Sequence, residues 1–321
     1  MGRLTLSGPL MLVVLTQGVV TITEPGDKPD AGPLPLPGTE LVYVNGRLLD
    51  QAEARVSVAD RGFLYGDGLY ETMAVYGGQA FMLQAHLDRL MAGAAVIGLE
   101  LDRPGLVEAV LATLRANALR DGYLRLTVTA GAGSSRLDRE SSTPTVVVAA
   151  RHGRPYPEGT YRRGMKVITS GLRRNPSSPL VRIKSLNFLE NVLARREARA
   201  AGADEGLMLN LQGKLAEGTV SNLFLIKGDK LVTPDEGSGL LPGITRGLVL
   251  RLAREQGLPV EEKEVAVADL GEADEAFLTN SLMEVMPLVE VDGWPVGEGK
   301  PGPVTRALAS AYRREVEKGA D

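Results

Sequence analysis

The stretch RIKSLNFLENVLARREARAAG, from Arg182 to Gly202, carries the most information about the fold of this chain. Its first residues are typical of the end of a strand, and the rest follow a helical repeat that Gly202 ends. The apolar face of this predicted helix consists of Leu186, Leu189, Val192 and Leu193. The sequence therefore predicts a strand that passes directly into a helix.

Lys184 lies at this junction, between the apolar residues Ile183 and Leu186 and just before the predicted helix. Apolar surroundings and the positive end of a helix both disfavour the ammonium form of a lysine, so such an amine can act as a nucleophile or a base. The alternative is a surface lysine whose carbon stem covers apolar neighbours. The position alone favours this alternative, because most lysines are solvated.

A carboxylate follows in GLMLNLQGKLAEGTVSNLFLIKGDKLVTP, residues 206–234, which predicts short strands joined by Gly-rich turns. Glu217 stands where one turn leads into the next strand. Its carboxylate could pair with a ring nitrogen or a cation, or it could be a solvated turn residue.

The stretch LLPGITRGLVLRLAREQG, residues 240–257, predicts a helix that begins after Pro242 and Gly243. Thr245, in its first turn, is well placed as a cap. The free amides and the hydroxyl of such a helix start can bind an anion such as phosphate. Capping alone is the commoner role, so both interpretations stay open.

Toward the N-terminus, the chain alternates strands and helices. LVYVNGRLL and ETMAVYGGQAFML predict hairpins that turn at Asn45-Gly46 and Gly77-Gly78. Helices are predicted from about Gln84 to Ile97 and from Pro104 to Leu119, and YLRLTVTAG and TPTVVVAAR predict further strands. We expect this block to be α+β with antiparallel pairing.

A domain boundary is predicted at RHGRPYPEGTYRRG, residues 151–164, where all periodicity is interrupted. Beyond it, MKVITS predicts a strand and GLRRNPSSP predicts a loop. A second block therefore begins at Met165.

The composition excludes several classes of protein. The chain has 321 residues, a formal charge of −4, 44% hydrophobic residues and no cysteine. Disulfide scaffolds, thiolate metal sites and cysteine nucleophiles are therefore excluded, and nothing supports a basic groove for nucleic acid. With only two histidines, the chain offers few imidazoles for a metal site or a histidine-dependent triad. We interpret His86 as structural and His152 as a loop residue.

Residues 1–40 differ from the rest of the chain. Their apolar runs, Met11 to Leu15 and Val19 to Ile22, are too short to span a bilayer and precede a Pro/Gly-rich stretch typical of a linker. A signal peptide is the alternative, but no small-residue cleavage site follows cleanly. We expect a poorly ordered extension of a cytoplasmic protein that does not bind membranes, or a start codon assigned too early.

Six motifs occur along residues 41–313 in a fixed order. They are DRGFLYGDGLYET (60–72), HLDRL (86–90), IKSLN (183–187), EGTVSNLFL (217–225), LPGITR (241–246) and LTNSLMEVMPL (278–288). Together they resemble the class IV (fold type IV) aminotransferase family, which uses pyridoxal 5'-phosphate (PLP) and includes branched-chain and D-amino acid aminotransferases and aminodeoxychorismate lyase. The resemblance implies a two-domain α+β fold like that of D-amino acid aminotransferase.

The resemblance also implies roles for the matching residues. Lys184 is similar to the lysine that holds PLP covalently and then moves the substrate proton. Arg89 resembles the arginine that binds the phosphate group. Glu217 resembles the carboxylate that keeps the pyridine nitrogen protonated, so that the ring withdraws electrons. The other phosphate ligands implied are the Ile244 amide, Thr245 and Ser281.

Within the family, the chain looks most like aminodeoxychorismate lyase, which converts 4-amino-4-deoxychorismate to 4-aminobenzoate and pyruvate in folate biosynthesis. Branched-chain enzymes of the best-known type have a glycine where this chain has Thr72 and a tyrosine where it has Leu189. D-amino acid aminotransferases usually have an arginine and a histidine two residues apart, where this chain has Arg136 and Asp138.

The lyase interpretation makes Thr72 a catalytic candidate and makes Tyr70 and Arg136 candidates for binding the carboxylates of a small amino substrate. Two alternatives stay open. One is a branched-chain or D-amino acid aminotransferase that transfers an amino group to 2-oxoglutarate, and the other is a relative that keeps the fold without activity.

The resemblance further implies how the chain is organised. A smaller α+β domain would cover residues 41–154, a linker residues 155–164, and a larger PLP-binding domain residues 165–321, with PLP in the cleft between the domains. Family members form homodimers in which the loop around Arg136 completes the site of the neighbouring subunit. Neither nucleic acid nor a membrane is expected as a partner.

Overall fold

The computed structural model describes residues 12–16, 19–23, 40–133, 136–138 and 143–319. Strands β1 (Leu12–Thr16) and β2 (Val19–Thr23) pair antiparallel within residues 1–36, which form a unit of their own. Apart from Glu40, the rest of the predicted extension lies outside the described residues. Its poor order and the cytoplasmic location stay predictions.

The first sheet of the second unit, residues 37–321, is antiparallel throughout. Its strands are β3 (Leu41–Val44), β4 (Arg47–Asp50), β5 (Gly68–Tyr76), β6 (Gln79–Ala80), β7 (Gly122–Thr129) and β8 (Thr145–His152). They are ordered β4-β3-β8-β7-β5-β6. Both predicted hairpins are confirmed, because Asn45, Gly46, Gly77 and Gly78 all have the positive φ angles that such two-residue turns require.

The helices of this part are α1 (Arg61–Tyr65), α2 (Leu83–Val96) and α3 (Arg103–Ala116). Helix α2 lies within one residue of its prediction, and α2 and α3 pack their apolar faces on the sheet to form one core. Helix α3 ends before the predicted Leu119 because the side chain of Asn117 binds the backbone of Leu41. Asn117 Nδ2 donates to Leu41 O at 2.9 Å, and Leu41 N donates to Asn117 Oδ1 at 2.8 Å.

One prediction near the boundary is wrong, and one helix there was not predicted. His152 is not a loop residue, since it ends β8 and pairs with Gly122. The boundary stretch contains helix α4 (Glu158–Arg163), whose first turn is acidic and whose last turn is basic, as the helix dipole favours. In the sequence, the strands of one sheet precede this helix and those of the other sheet follow it. The domain limits themselves stay a prediction.

The second sheet, as far as the chain is described, has ten strands. They are β9 (Met165–Arg174), β10 (Glu205–Asn210), β11 (Lys214–Gly218), β12 (Asn222–Lys227), β13 (Lys230–Pro234), β14 (Val260–Lys263), β15 (Val265–Ala266), β16 (Glu275–Asn280), β17 (Glu284–Val291) and β18 (Trp294–Pro295). The order is β14-β13-β12-β16-β17-β9-β10-β11-β15, and β18 pairs with β17. The pairs β9–β10, β9–β17 and β13–β14 are parallel.

Further helices accompany this sheet: α5 (Leu189–Ala200), α6 (Ile244–Glu255), α7 (Ala268–Gly271) and α8 (Pro303–Lys318). Short 3-10 turns cover Pro179–Arg182 and Glu236–Ser238. None of the helices in the described ranges is both long and apolar enough to cross a bilayer.

The predicted apolar face of α5 is wrong. Leu186 precedes the helix, and Leu189, Val192 and Leu193 are exposed, Leu189 by 67%. The buried face instead consists of Asn191, Ala194 and Ala198. The small alanines allow α5 to lie close to β10. The buried Asn191 side chain has a hydrogen-bond partner, because its Nδ2 donates to Thr219 O at 2.8 Å.

The segment around Lys184 joins the two sheets. It follows the 3-10 turn and forms a single antiparallel bridge, Leu69↔Ser185, with β5. Tyr70 N donates to Lys184 O at 2.9 Å, and Leu186 N donates to Gly68 O at 3.0 Å. The predicted strand end is therefore a bridge, which fixes the backbone of Lys184 against the first sheet.

Candidate active site

A cavity of about 310 Å³ is lined by residues of both sheets. Eight of the nine residues predicted for the site line it: Tyr70, Thr72, Arg89, Lys184, Glu217, Ile244, Thr245 and Ser281. These residues are dispersed over more than 200 positions of the chain. The fold therefore brings together groups that the sequence only places in order.

Lys184 presents an amine to this cavity. Its Nζ lies 4.5 Å from the centre of the Tyr70 ring. Burial, followed by the positive charge of Arg89, lowers the pKa of Lys184 to about 8, against the opposing charges of Glu71 and Glu217. A useful fraction of the amine is thus neutral near physiological pH. A solvated surface lysine, the alternative considered above, would be almost entirely protonated there.

Glu217, near the end of β11, is held by two donors. Arg174 Nη2 lies 2.8 Å from Oε1, and the backbone N of Leu241 donates to Oε2 at 3.0 Å. Burial raises the pKa of Glu217, while Arg174, the Leu241 amide and Lys184 oppose this shift. The carboxylate is therefore a fixed, buried acceptor and not a solvated turn residue.

Arg174 was not found from the sequence. The predicted loop GLRRNPSSP hid it, because β9 continues through this stretch and ends at Arg174. Nothing in the local pattern indicates that this arginine is buried against Glu217, since the pairing depends on β9, β10 and β11 lying side by side.

Arg89 is oriented by a carboxylate that the sequence did not single out for a role. Glu71, which is fully buried, accepts from Arg89 Nε and Nη2, both at 2.7 Å. Arg89 Nη1 donates to Pro242 O at 3.1 Å. This forked pairing fixes the guanidinium plane between β5 and the start of α6.

The start of α6 borders the same part of the cavity. Gly243 is its N-cap, and a Cβ there would lie 2.0 Å from Asn222 Oδ1, so a larger residue would displace the Asn222 side chain. No side chain in the described part of the chain caps α6. The predicted cap role of Thr245 is therefore wrong, and Thr245 is instead buried in the first turn beside the free amides, an arrangement suited to an anion.

Ser281 and His86 contact each other, and His86 also contacts Glu71. Ser281 Oγ lies 3.4 Å from His86 Nε2, and His86 Nδ1 lies 2.7 Å from Glu71 Oε2. His86 is buried, as expected for a structural residue, but its contacts also connect it to two residues of the predicted phosphate site.

A further cation, Arg125 on β7, lies at the exposed side of the cavity. Its guanidinium carbon is 3.8 Å from the centre of the Tyr70 ring, and it pairs across the strands with Thr72. Strand alternation places both side chains on the face of the sheet that lines the cavity. The sequence pattern showed only an alternating strand here, which is why Arg125 was missed.

Arg136 is the predicted site residue that does not line the cavity. Its side chain is 72% exposed, with its Nε 3.4 Å from Asp138 Oδ1. Its backbone O accepts from Arg61 Nη1 at 2.6 Å. A role for Arg136 within its own chain has no support in this geometry, and its expected role in a neighbouring subunit stays a prediction.

Comparisons with known proteins agree with this architecture. The sequence profile of the family "Amino-transferase class IV" matches residues 68–291. A Methanocaldococcus jannaschii protein, provisionally named a branched-chain-amino-acid aminotransferase, is 40% identical over 276 residues, which cover 85% of this chain and 95% of that protein.

Two solved structures are similar over nearly the same range. A branched-chain amino acid aminotransferase from T.th., solved with pyridoxamine 5'-phosphate, is 33% identical with a TM-score of 0.82, covering 86% of this chain and 94% of its own. The 4-amino-4-deoxychorismate lyase of Pseudomonas aeruginosa is 36% identical with a TM-score of 0.78, covering 86% of this chain and 100% of its own. Such a fold and cavity define a PLP-dependent enzyme of fold type IV. The chain belongs to the class IV aminotransferase family.

The cavity fits this cofactor in its donors and acceptors. It offers an amine for the aldehyde, a buried carboxylate for the ring nitrogen, and an arginine beside a helix start for the phosphate. Ser221 Oγ and Thr279 Oγ1 also line it and are buried without a hydrogen-bond partner among the described residues. Buried hydroxyls without partners are costly, so they indicate a polar ligand.

Proposed function

We propose that the chain is an aminotransferase that moves the amino group of an amino acid to a keto acid such as 2-oxoglutarate. One observation carries the proposal: a single cavity combines an amine of lowered pKa, a buried carboxylate and an arginine at a helix start. The relative with 40% identity bears the name of an aminotransferase, which favours this reaction over the lyase reaction.

The phosphate site is proposed to be built around Arg89. Its contacts to Glu71 and Pro242 use Nε and one hydrogen on each terminal nitrogen. One hydrogen on each terminal nitrogen is thus left for a phosphate oxygen. The remaining donors would come from the cavity-lining Ile244 amide, Thr245 and Ser281, the first two in the first turn of α6.

Glu217 is proposed to accept a hydrogen bond from the ring nitrogen. PLP, when bound, withdraws electrons from the carbon that loses its proton, and it does so best with that nitrogen protonated. Arg174 and the Leu241 amide fix the orientation of Glu217 and oppose the rise in its pKa, so that the carboxylate can hold the proton on the ring.

Lys184 would hold the cofactor through its aldehyde and, with its amine free, would carry the proton to and from the reacting carbon. Its lowered pKa suits a group that must both accept and release a proton near neutral pH. Tyr70 lies directly against its amine and limits the positions from which Lys184 can reach the substrate.

The substrate carboxylate is proposed to lie near Tyr70 and Arg125. Arg125 stacks on the face of Tyr70 at the exposed side of the cavity and provides a cation within the chain itself. Arg136, the other cationic candidate, would contribute from a neighbouring subunit of a homodimer.

The second candidate function is aminodeoxychorismate lyase, and Thr72 is the observation that favours it. Thr72 lines the cavity and pairs across the strands with Arg125, at the position where the branched-chain pattern has glycine. The similarity to the Pseudomonas aeruginosa lyase supports the same reaction. Both reactions share the abstraction of a proton by Lys184 and differ in the bonds that change afterwards.

A product assay distinguishes the two. Purified enzyme is supplied with D-alanine or L-leucine plus 2-oxoglutarate and, separately, with 4-amino-4-deoxychorismate. We expect glutamate and the matching keto acid in one of the first two mixtures. If only 4-aminobenzoate and pyruvate appear, the aminotransferase proposal is wrong and the lyase is correct.

Lys184→Ala and Lys166→Ala serve as a matched pair. Lys166 is an exposed lysine on β9 whose Nζ donates to Glu290 at 2.7 Å. Lys184→Ala should abolish both the product and the mass that borohydride reduction adds to the peptide containing this lysine, whereas Lys166→Ala should change neither. Retained activity in Lys184→Ala would remove the basis of both candidate functions.

A further inference from the structure

His86 contacts one proposed phosphate ligand, Ser281, and the carboxylate that holds another, Arg89. It lies on α2, one turn before Arg89, and only 2% of it is exposed. One ring nitrogen, Nδ1, lies 2.7 Å from Glu71 Oε2, the carboxylate that also holds Arg89. The other, Nε2, lies 3.4 Å from Ser281 Oγ.

The contact with Glu71 determines which nitrogen carries hydrogen. Although burial acts to raise it, Arg89 and His86 hold the pKa of Glu71 at about 2, so Glu71 is a carboxylate and can only accept. His86 Nδ1 must therefore donate. Burial lowers the pKa of His86, with Glu71 opposing, so the imidazole of the free site is neutral at pH 7 and its Nε2 can only accept.

This state conflicts with a bound phosphate. The Ser281 hydroxyl has one hydrogen, and in the free site it donates that hydrogen to His86 Nε2. A phosphate dianion also only accepts, so Ser281 cannot serve both partners. If its hydrogen turns to the phosphate, a lone pair of Ser281 faces a lone pair of His86, unless His86 Nε2 gains a hydrogen.

We propose that His86 is a positioning residue of the phosphate site and takes up a proton when a phosphate dianion binds. The hydrogen bonds then run from Glu71 through the imidazolium and the Ser281 hydroxyl to the phosphate, with every donor matched to an acceptor. The proposal rests on the phosphate-binding role given above to Arg89 and Ser281.

The charges around His86 are consistent with this uptake. Glu71 faces it from β5 and favours the imidazolium, whereas Arg89 on α2 and Lys184 from the segment before α5 disfavour it. In the free site, these charges and burial together favour the neutral imidazole of His86. A dianion beside Arg89 and Ser281 offsets the two cations and adds to the effect of Glu71.

Nitrogen NMR of the imidazoles tests the proposal directly, because the chain has only two histidines. Spectra are recorded at pH 7 for the enzyme freed of its cofactor, for the same protein with inorganic sulfate, and for the PLP holoenzyme. Sulfate stays doubly charged, so its own titration does not contribute. We expect His86 to change from the neutral Nδ1–H tautomer to the imidazolium in both loaded forms, while His152 does not change. His86→Gln assigns the signal.

The pH dependence of sulfate affinity gives a second readout. In wild type, affinity should fall by up to about ten-fold per pH unit between the free-state and the bound-state pKa of His86, because binding takes up a proton only in that range. His86→Gln should lose this part of the dependence and His152→Gln should keep it. Lys184 titrates in all three proteins, so the difference between them isolates His86.

The outcomes separate this inference from the proposed function. Sulfate or PLP that binds while His86 stays a neutral ring overturns the inference and leaves the phosphate site intact. A folded protein that binds neither sulfate nor PLP overturns both. The NMR measurement uses wild-type protein, so it decides the question even if His86→Gln does not fold.

Discussion

The reactivity of Lys184 comes from its surroundings and should be visible as a pH profile. Its pKa of about 8 means that the neutral amine increases with pH and reaches its maximum above pH 8. At pH 7 its neutral fraction is roughly 300-fold larger than that of a lysine with an ordinary pKa. We expect condensation with pyridoxal, which lacks a phosphate, to follow this profile when the product is trapped with borohydride.

The exposed Lys166 provides the internal comparison within the same digest. Its peptide should be labelled much more weakly than that of Lys184 at pH 7, because Lys166 is exposed and its amine donates to Glu290. A half-maximal rate for Lys184 near the ordinary lysine pKa would show that burial and Arg89 do not act on the amine as described.

Glu71→Gln should destabilise the folded protein. Glu71 is fully buried and is the shared partner of Arg89 and His86, so its loss leaves a guanidinium without its counter-charge at a cost of about 3 kcal/mol in the free energy of unfolding. Because its pKa in the folded state is lowered to about 2, the difference from wild type is full above about pH 4.5 and shrinks as the pH falls toward 2.

Glu108→Gln is the control for this measurement by urea denaturation. Glu108 also pairs with an arginine, Arg115, but both side chains are about two-thirds exposed. Its loss should cost less than about 1 kcal/mol. Equal effects of the two substitutions would show that burial of the Glu71 pair contributes nothing.

The residues of the site were predictable where a local motif contains them. Lys184, Arg89 and Glu217 each stand in such a motif, and the cavity contains all three. Glu71 also stands in a motif, but nothing in the sequence shows that it pairs with Arg89, and Arg174 lies outside the motifs. A sequence pattern gives no register between distant elements. Charge pairing across the fold therefore appears only with the structure.

At the scale of elements, Gly68 keeps the Lys184 segment against the first sheet. A Cβ at Gly68 would lie 2.5 Å from Val128 O and 2.9 Å from the Cα of Thr129, both backbone atoms of β7. Gly68→Ala must therefore separate β5 from β7, at a cost of about 1 to 3 kcal/mol in the free energy of unfolding. PLP binding should weaken as well, because Gly68 O holds Leu186 N.

Gly171→Ala makes the same chemical change in another strand. The atom nearest to its Cβ would be Glu197 Oε1 at 3.5 Å, which is ordinary contact. Thermal and urea denaturation should show a change within about 0.5 kcal/mol. If Gly68→Ala is equally harmless, the close approach of β5 and β7 does not constrain the site.

The helices and strands could be predicted from the sequence where periodicity and turn residues alone determine them. Helix α2 and the Asn45-Gly46 hairpin follow from periodicity and turn chemistry, and both are found nearly as predicted. The buried face of α5 does not consist of large apolar residues. Asn191 is buried with its side chain hydrogen-bonded, and two alanines are buried by close packing. Tertiary contacts of this kind cannot be read from a hydrophobic repeat.

At the scale of the whole molecule, the exposed face of α5 supports the predicted homodimer. Leu189, Val192 and Leu193 are exposed on a helix that begins directly after Phe188, a residue that lines the cavity. Leu193→Lys should shift the protein toward monomers in sedimentation, whereas Trp294→Lys, which changes an exposed apolar residue on β18, should not. An unchanged dimer in Leu193→Lys would place the interface elsewhere.

The predicted role of Arg136 can be tested by mixing two inactive variants. If Arg136 serves the neighbouring subunit, a dimer of Lys184→Ala and Arg136→Ala chains has one site with both lesions and one intact site, because each site combines Lys184 of one chain with Arg136 of the other. Random exchange of subunits should then restore about one quarter of wild-type activity. If Arg136 serves its own chain, every site of the mixed dimer carries one lesion and no activity returns. Each variant exchanged with itself gives the baseline, and a fully active Arg136→Ala protein would remove this arginine from the site altogether.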